Sequence, residues 1–250
     1  MISFETPEDV RDIVDMLKEF CINEIQPNYR AWEIEGKLPE DFLKKYHELG
    51  LAGLKLPETL GGSALDTEAG VAIVEALCHY GDIGVCYALP GPGFGGDILL
   101  EFGSEDQIKK FLTPFLEADG YKRKTALLVR EEAPDFYWDE MTTVAKRDGD
   151  HYVLNGKKTF VHNGLDATLL IVMALDEQND LGAFVVDSQA EGLERSKRLT
   201  TLGLNTTNFC HIELKDVKIS ADNRLENVTP EGLQKVVNAI RLKTAAMCVG

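Results

Sequence analysis

The chain has 250 residues, 42 acidic side chains against 26 basic ones, and a formal net charge of −16. That length allows one large domain or two ordinary ones, and a composition of 44% hydrophobic and 27% charged residues excludes the disordered and fibrous classes. The acidic balance argues against nucleic-acid and anionic-membrane surfaces, though a small anionic ligand needs only a local basic pocket.

Residues 1–120 read as an N-terminal helical domain. Thr6-Pro7-Glu8-Asp9 offers an N-cap, a first-turn proline and acids at the positive end of a helix. Val10, Ile13, Val14, Leu17 and Phe20 follow at helical spacing. A second helix is predicted from Pro39 to Leu49, stopped by Gly50 in a left-handed conformation. A third starts near Asp66 and turns Ala69, Ile73, Val74 and Leu77 inward. Ser104-Glu105-Asp106-Gln107 is a capping box ahead of the apolar face Ile108, Phe111 and Leu112. Gly91-Pro92-Gly93-Phe94-Gly95-Gly96 matches a dinucleotide fingerprint in form only. It lies in helical sequence rather than a strand–turn–helix unit, and reads as a loop between helices.

Residues 121–228 read as a middle β-domain. Thr125–Val129, Thr142–Lys146, Tyr152–Leu154, Thr159–His162, Leu169–Met173, Ala183–Val186 and Phe209–Leu214 are short β-rich runs. Asp148-Gly149, Asn155-Gly156 and Asn163-Gly164 separate some of them as tight-turn dipeptides. The pattern predicts a small antiparallel barrel or sandwich. Residues 229–250 read as the first helix of a C-terminal helical domain: Thr229 caps, and Leu233, Val236, Val237 and Ile240 form a stripe. The expectation is that a partner chain or a further domain covers this stripe, or that a homo-oligomer buries Val236, Val237, Ile240 and Ala245. Five scattered cysteines suggest buried thiols in a reducing cytoplasm, with no metal site. The N-terminus has no secretory pattern, and the longest apolar run, Leu169–Leu175, is far short of the ~20 residues that cross a bilayer.

This order of parts, α+β and multidomain, resembles the acyl-CoA dehydrogenase family. The motifs that carry the resemblance begin with Leu38-Pro39-Glu40, Glu48-Leu49-Gly50-Leu51-Ala52-Gly53-Leu54, Leu56-Pro57-Glu58 and Leu60-Gly61-Gly62. Phe102-Gly103-Ser104-Glu105-Asp106-Gln107 with Phe111-Leu112, Asp148 to Lys158 around Tyr152 and Asn155-Gly156, and Glu213-Leu214-Lys215-Asp216-Val217 continue them in family order. The resemblance implies a flavoprotein holding FAD that oxidises the Cα–Cβ bond of an acyl-CoA thioester. A carboxylate base takes the α-proton while hydride leaves to the flavin.

Carried over by position, the flavin-contacting segments are Val129, Arg130 and Glu131, and Phe160, Val161 and His162. Substrate contacts fall at Phe136 and Thr207. Several positions depart from the family pattern. Arg130 stands where a threonine would hold the flavin ring, Phe136 where a serine faces the CoA, and Asn205-Thr206-Thr207 lacks the family arginine while keeping a hydroxyl at Thr207. Phe136, Tyr137 and Trp138 read as an aromatic plug or a ring-stacking set. His162 replaces a threonine and reads either as a donor to the flavin or as an exposed strand-end histidine. One family position for the base is Ile240, which has no acid chemistry, so the base is expected beyond Gly250. The leading reading is a dehydrogenase incomplete in this chain, either a fragment or one half of a split enzyme. The alternatives are a degenerate non-catalytic binding or scaffold subunit and a flavin monooxygenase-like relative.

Overall fold

A computed structural model describes residues 8–132, 140–226 and 228–250. The chain divides into two compact units. The first takes in the segment ending at Leu89 together with Thr201–Thr207 and Val237–Gly250, and the second takes in Pro90–Thr200 and Asn208–Val236.

In the first unit, α1 (Glu8–Phe20) continues into a π turn at Cys21–Ile25, followed by α2 (Tyr29–Glu35), α3 (Glu40–Glu48), α4 (Thr67–Tyr80) and α5 (Ile83–Ala88). The predicted Leu17, Ile73 and Leu77 join Ile25, Trp32 and Phe42, which the sequence reading did not name, in its core. The Phe42 ring lies 4.5 Å from Trp32 and 5.7 Å from Phe20, ring centroid to ring centroid. Gly50 has φ 74°, as the predicted helix stop requires. Asp66 accepts from Ala69 N at 2.9 Å and caps α4; Val74 is half-buried, whereas Ala76 and Cys78 reach the interior. The Thr201–Thr207 loop is clamped by one carboxylate. Glu33 accepts from Asn205 N and Nδ2, both at 2.9 Å, and from Thr206 N at 3.2 Å.

The second unit opens with α6 (Gly93–Phe102) and α7 (Glu105–Leu112), the latter started by the predicted Ser104/Gln107 capping box. The apparent dinucleotide fingerprint is thus the entry to α6 rather than a free loop. Its glycines serve packing: a Cβ on Gly95 would lie 2.7 Å from Thr125 Oγ1 and 3.1 Å from Ile171 Cγ1.

The strands are β1 (Thr125–Leu128), β2 (Val144–Asp148), β3 (His151–His162), β4 (Leu169–Leu175), β5 (Leu181–Asp187), β6 (Leu193–Arg195), β7 (Phe209–Ser220) and β8 (Arg224–Leu225). Among the described residues they pair in the open path β6-β7-β3-β2-β4-β5-β8, with β1 alongside β4. The expected all-antiparallel arrangement is corrected here. β1 runs parallel to β4, and β2 meets β4 in a parallel pairing at Val144 and Leu175, so the sheet is mixed and does not close into a barrel. β1 and β2 run in the same direction, an arrangement that hairpin-only connectivity would forbid, so a connection other than a tight hairpin joins them.

Asn155-Gly156 is a second correction. It is not a turn, because β3 runs unbroken for 12 residues through it. Asn155 instead faces two residues of β7, Lys215 and Asp216, in a bulge. Its amide bonds Asp216 in both directions, at 2.9 and 3.0 Å. Further along, the imbalance reverses: Thr159 and Phe160 of β3 face only His211 of β7. Behind the sheet, Leu128, Leu154, Leu170, Phe184, Ile212 and Val217 form the core.

The stripe of the last helix, α8 (Pro230–Val249), is covered in part by this chain itself, with Val237 and Ile240 left half-buried. Leu233, Val236, Ala246 and Met247 are buried within this chain. Gly232 lies against Phe102, and Gly250 lies against Glu75 and Cys78. Val236 is thus already buried within the chain, and Ala245, counted in the stripe, is exposed, because Ala246 takes the inward position.

Candidate functional site

The segment leaving β1 carries Val129, Arg130, Glu131 and Glu132, and is laced to the end of β3. Arg130 O accepts from Thr159 N at 2.8 Å, and Glu131 O accepts from Thr159 Oγ1 at 2.8 Å. Lys158, whose side chain is wholly buried, donates to Glu131 Oε1 at 2.8 Å and to Val129 O at 3.3 Å. Two further residues close around the carboxylate. Thr142 N and Thr143 N donate at 2.7 and 3.0 Å, and both threonine hydroxyls donate as well. Burial pushes the Glu131 carboxyl up, but the bonds from Lys158, Thr142 and Thr143 outweigh it and hold it down at about 2. Burial likewise pulls Lys158 down to about 8 against the opposing pull of Glu131. Gly156 makes this crowding feasible, since a Cβ there would lie 2.4 Å from Thr143 Oγ1.

On this anchored base stands Phe160. It is the bulge residue of β3, with φ 49°, and 57% of it is exposed. A bulky side chain in left-handed backbone is costly, and such strain collects where a fold must present a group. The Arg130 guanidinium lies 5.3 Å from the Phe160 ring centroid, and the His211 ring meets Phe160 edge-on at 5.6 Å. Phe160 N donates to His211 Nδ1 at 3.4 Å. Beside them Lys157 and Glu132 form an exposed ion pair. An aromatic face, a cation and a rigid backbone edge suit a planar ring with an electron-rich or anionic rim.

The remaining predicted positions divide. His162 ends β3 half-buried, its ring 5.4 Å from Phe209. That is neither the exposed strand-end histidine nor a group free of neighbours. Val161 faces the core, so only its backbone is available to a ligand. Thr207 is 2% exposed and belongs to the first unit with the Glu33-clamped loop. Ile240 is half-buried on α8. Phe136, Tyr137 and Trp138 lie outside the described residues. Among the described residues no group of His, Cys, Asp and Glu could hold a metal ion, and no helix is long and apolar enough to cross a membrane. An open hollow of about 880 Å³ in the first unit, lined by Arg30, Cys78, Asp82 and Cys248, contains none of the predicted site residues.

Sequence reasoning passed over Lys158, Thr142, Thr143 and His211. Strand alternation held the signal for Lys158: it shares the phase of the inward-facing Tyr152 and Leu154, and a lysine on that face needs an acid.

The fold and site define an α+β protein of two compact units, the second presenting an anchored aromatic platform at a bulged strand. Family models described as acyl-CoA dehydrogenase N-terminal domain and acyl-CoA dehydrogenase middle domain match residues 7–119 and 131–217. A probable acyl-CoA dehydrogenase of Bacillus subtilis, YngJ, is 31% identical over 100% of this chain and 67% of its own length. The chain belongs to the acyl-CoA dehydrogenase family. A crystal structure of a probable acyl-CoA dehydrogenase from Mycobacterium abscessus superposes with a TM-score of 0.84 at 29% identity, covering 97% of this chain and 65% of that one. An acyl-CoA dehydrogenase complexed with FAD from Bacillus anthracis superposes at 0.83 with 25% identity, covering 99% of this chain and 42% of that one. The chain spans 54–67% of the length of the curated relatives it matches.

Proposed function

We propose that the protein containing this chain is an FAD-dependent acyl-CoA dehydrogenase, and that this chain supplies one wall of its flavin site. The observation that carries the reading is Phe160, an exposed aromatic face held in strained backbone and backed by the buried Glu131–Lys158 pair. The described residues fit the ring of FAD: Phe160 offers an exposed aromatic ring, and Arg130 offers a cation beside it. FAD would supply the hydride-accepting chemistry.

What the chain's own residues do is hold that platform still. Lys158 and Thr159 tie Val129, Arg130 and Glu131 to β3, so the two flavin-facing segments keep one spacing. Ile240 carries no acid, and the α-proton base comes from outside this chain, from a further domain or a partner polypeptide. The substrate is an acyl-CoA thioester, the assembly a homo-oligomer and the compartment cytoplasmic, in keeping with five free thiols.

The test is anaerobic mixing of the protein from its own gene, loaded with FAD, with short- and medium-chain acyl-CoA. Bleaching of the flavin band supports the reading. A colourless protein that takes up no FAD overturns it. A second reading, a binding subunit without redox chemistry, is favoured by the substitution of Arg130 for a neutral hydroxyl. It predicts acyl-CoA binding by calorimetry with no bleaching.

A further inference from the structure

The charges around the Phe160 platform do not cancel evenly. Glu131 is neutralised by Lys158, and Glu132 by Lys157. His211 accepts from Phe160 N through Nδ1 and meets the Phe160 ring edge-on. Arg130 is left as the cation of this cluster for which the described residues show no carboxylate partner, and its guanidinium sits against the ring face instead. The backbone that carries it is held, since Arg130 O is bonded to Thr159 N, one residue before Phe160. A planar ring held at Phe160 would therefore lie close to the Arg130 cation.

We propose that Arg130 sets the redox balance of a flavin held on Phe160 by favouring its reduced, anionic form. The inference rests on the FAD reading above and goes beyond it in giving Arg130 a task that a neutral residue at that position could not perform. Two electrons and one proton turn a neutral oxidised flavin into a ring bearing one negative charge. A cation nearby favours the product of that step and is indifferent to the reactant. At a partly screened distance of ~7 Å the attraction corresponds to about a tenfold change in the ratio of affinities for reduced and oxidised flavin. For a two-electron couple that is about 30 mV.

The experiment is a potentiometric titration of the FAD-loaded protein from its own gene, with dithionite as electron donor and an indicator dye of known potential. The parent is compared with Arg130→Gln and Arg130→Lys. Arg130→Gln is expected to lower the potential by about 30 mV, the tenfold change above, while Arg130→Lys stays within about twofold of the parent ratio. Added salt should lower the potential of the parent and leave Arg130→Gln unmoved, a comparison that needs no stable lysine variant. An Arg130→Gln potential equal to or above the parent's, or a parent potential independent of salt, overturns the role of Arg130 while leaving the FAD reading intact. A parent that takes up no FAD overturns both.

Discussion

Replacing Lys158 with methionine removes the ammonium that faces Glu131 in a place closed to water. The Lys158 side chain is 0% exposed and that of Glu131 11%. Breaking such a pair from one side costs about 3–5 kcal/mol, because the surviving charge stays buried. Here the Glu131 carboxylate keeps four donors from Thr142 and Thr143, which places the loss near the lower end, at about 3 kcal/mol. Glu131→Leu should cost more than Lys158→Met. It strands a wholly buried ammonium with only the 3.3 Å bond to Val129 O, and orphans two threonine hydroxyls besides. The double variant Glu131→Gln/Lys158→Met removes both charges and should recover at least ~1.5 kcal/mol relative to the sum of its singles. Urea unfolding followed by far-ultraviolet circular dichroism measures all of this. A loss of 3 kcal/mol moves the midpoint by roughly 1–2 M. A Lys158→Met protein within about 1 kcal/mol of the parent, or a double variant no more stable than the sum of its singles implies, would refute the account of the pair as a buried, mutually dependent anchor.

Three further expectations come from the same fold. The folded Glu131 carboxyl lies at about 2 against an ordinary value of 4.5. Its contribution is therefore complete above about pH 4.5 and drains away as pH falls toward 2, so the acid limb of the stability profile should be flatter in Glu131→Gln than in the parent. Gly95→Val should lower stability by about 1–3 kcal/mol through overpacking against Thr125 and Ile171, read as a fall in thermal midpoint; an unchanged midpoint would show that α6 can shift away from β1. Glu33→Ala releases the backbone of Asn205 and Thr206, and limited proteolysis should then cut near the fully exposed Leu202 faster than in the parent, with equal rates counting against the clamp.

Much of the helical part was legible in the sequence because its signals are local. The Ser104 capping box, the Gly50 stop and the Asp66 cap each lie within a few residues of what they organise, and all three are realised. The β-part was harder for an equally physical reason. Asn-Gly favours left-handed turn geometry in isolation, yet at Asn155-Gly156 the partner strand absorbs the irregularity, and no residue of β3 alone announces that. Parallel pairing of β1 with β4 depends on the path between them through β2 and β3, not on the residues of either strand. The site divides the same way. Glu131 and Phe160 are singled out by their position in the sequence, but the Glu131–Lys158 pair spans 27 residues and the Glu33–Asn205 clamp 172. Contacts at such separations leave no periodic trace, and only the inward phase of Lys158 hinted at one of them.

The two bulges shared by β3 and β7 also bear on how this protein can change over evolutionary time. One inserts an extra residue in β7 and the other an extra residue in β3, so the ladder returns to its original register by the time it reaches His162 and Phe209. Deleting Phe160 alone would leave that offset uncorrected and turn the neighbouring core and ligand faces of one strand inside out. Losing either Lys215 or Asp216 at the same time would restore a regular ladder, though one without the raised aromatic ring. Length variation in these strands is therefore expected to arrive in matched pairs, and a homologous sequence one residue shorter in β3 should be one residue shorter in β7.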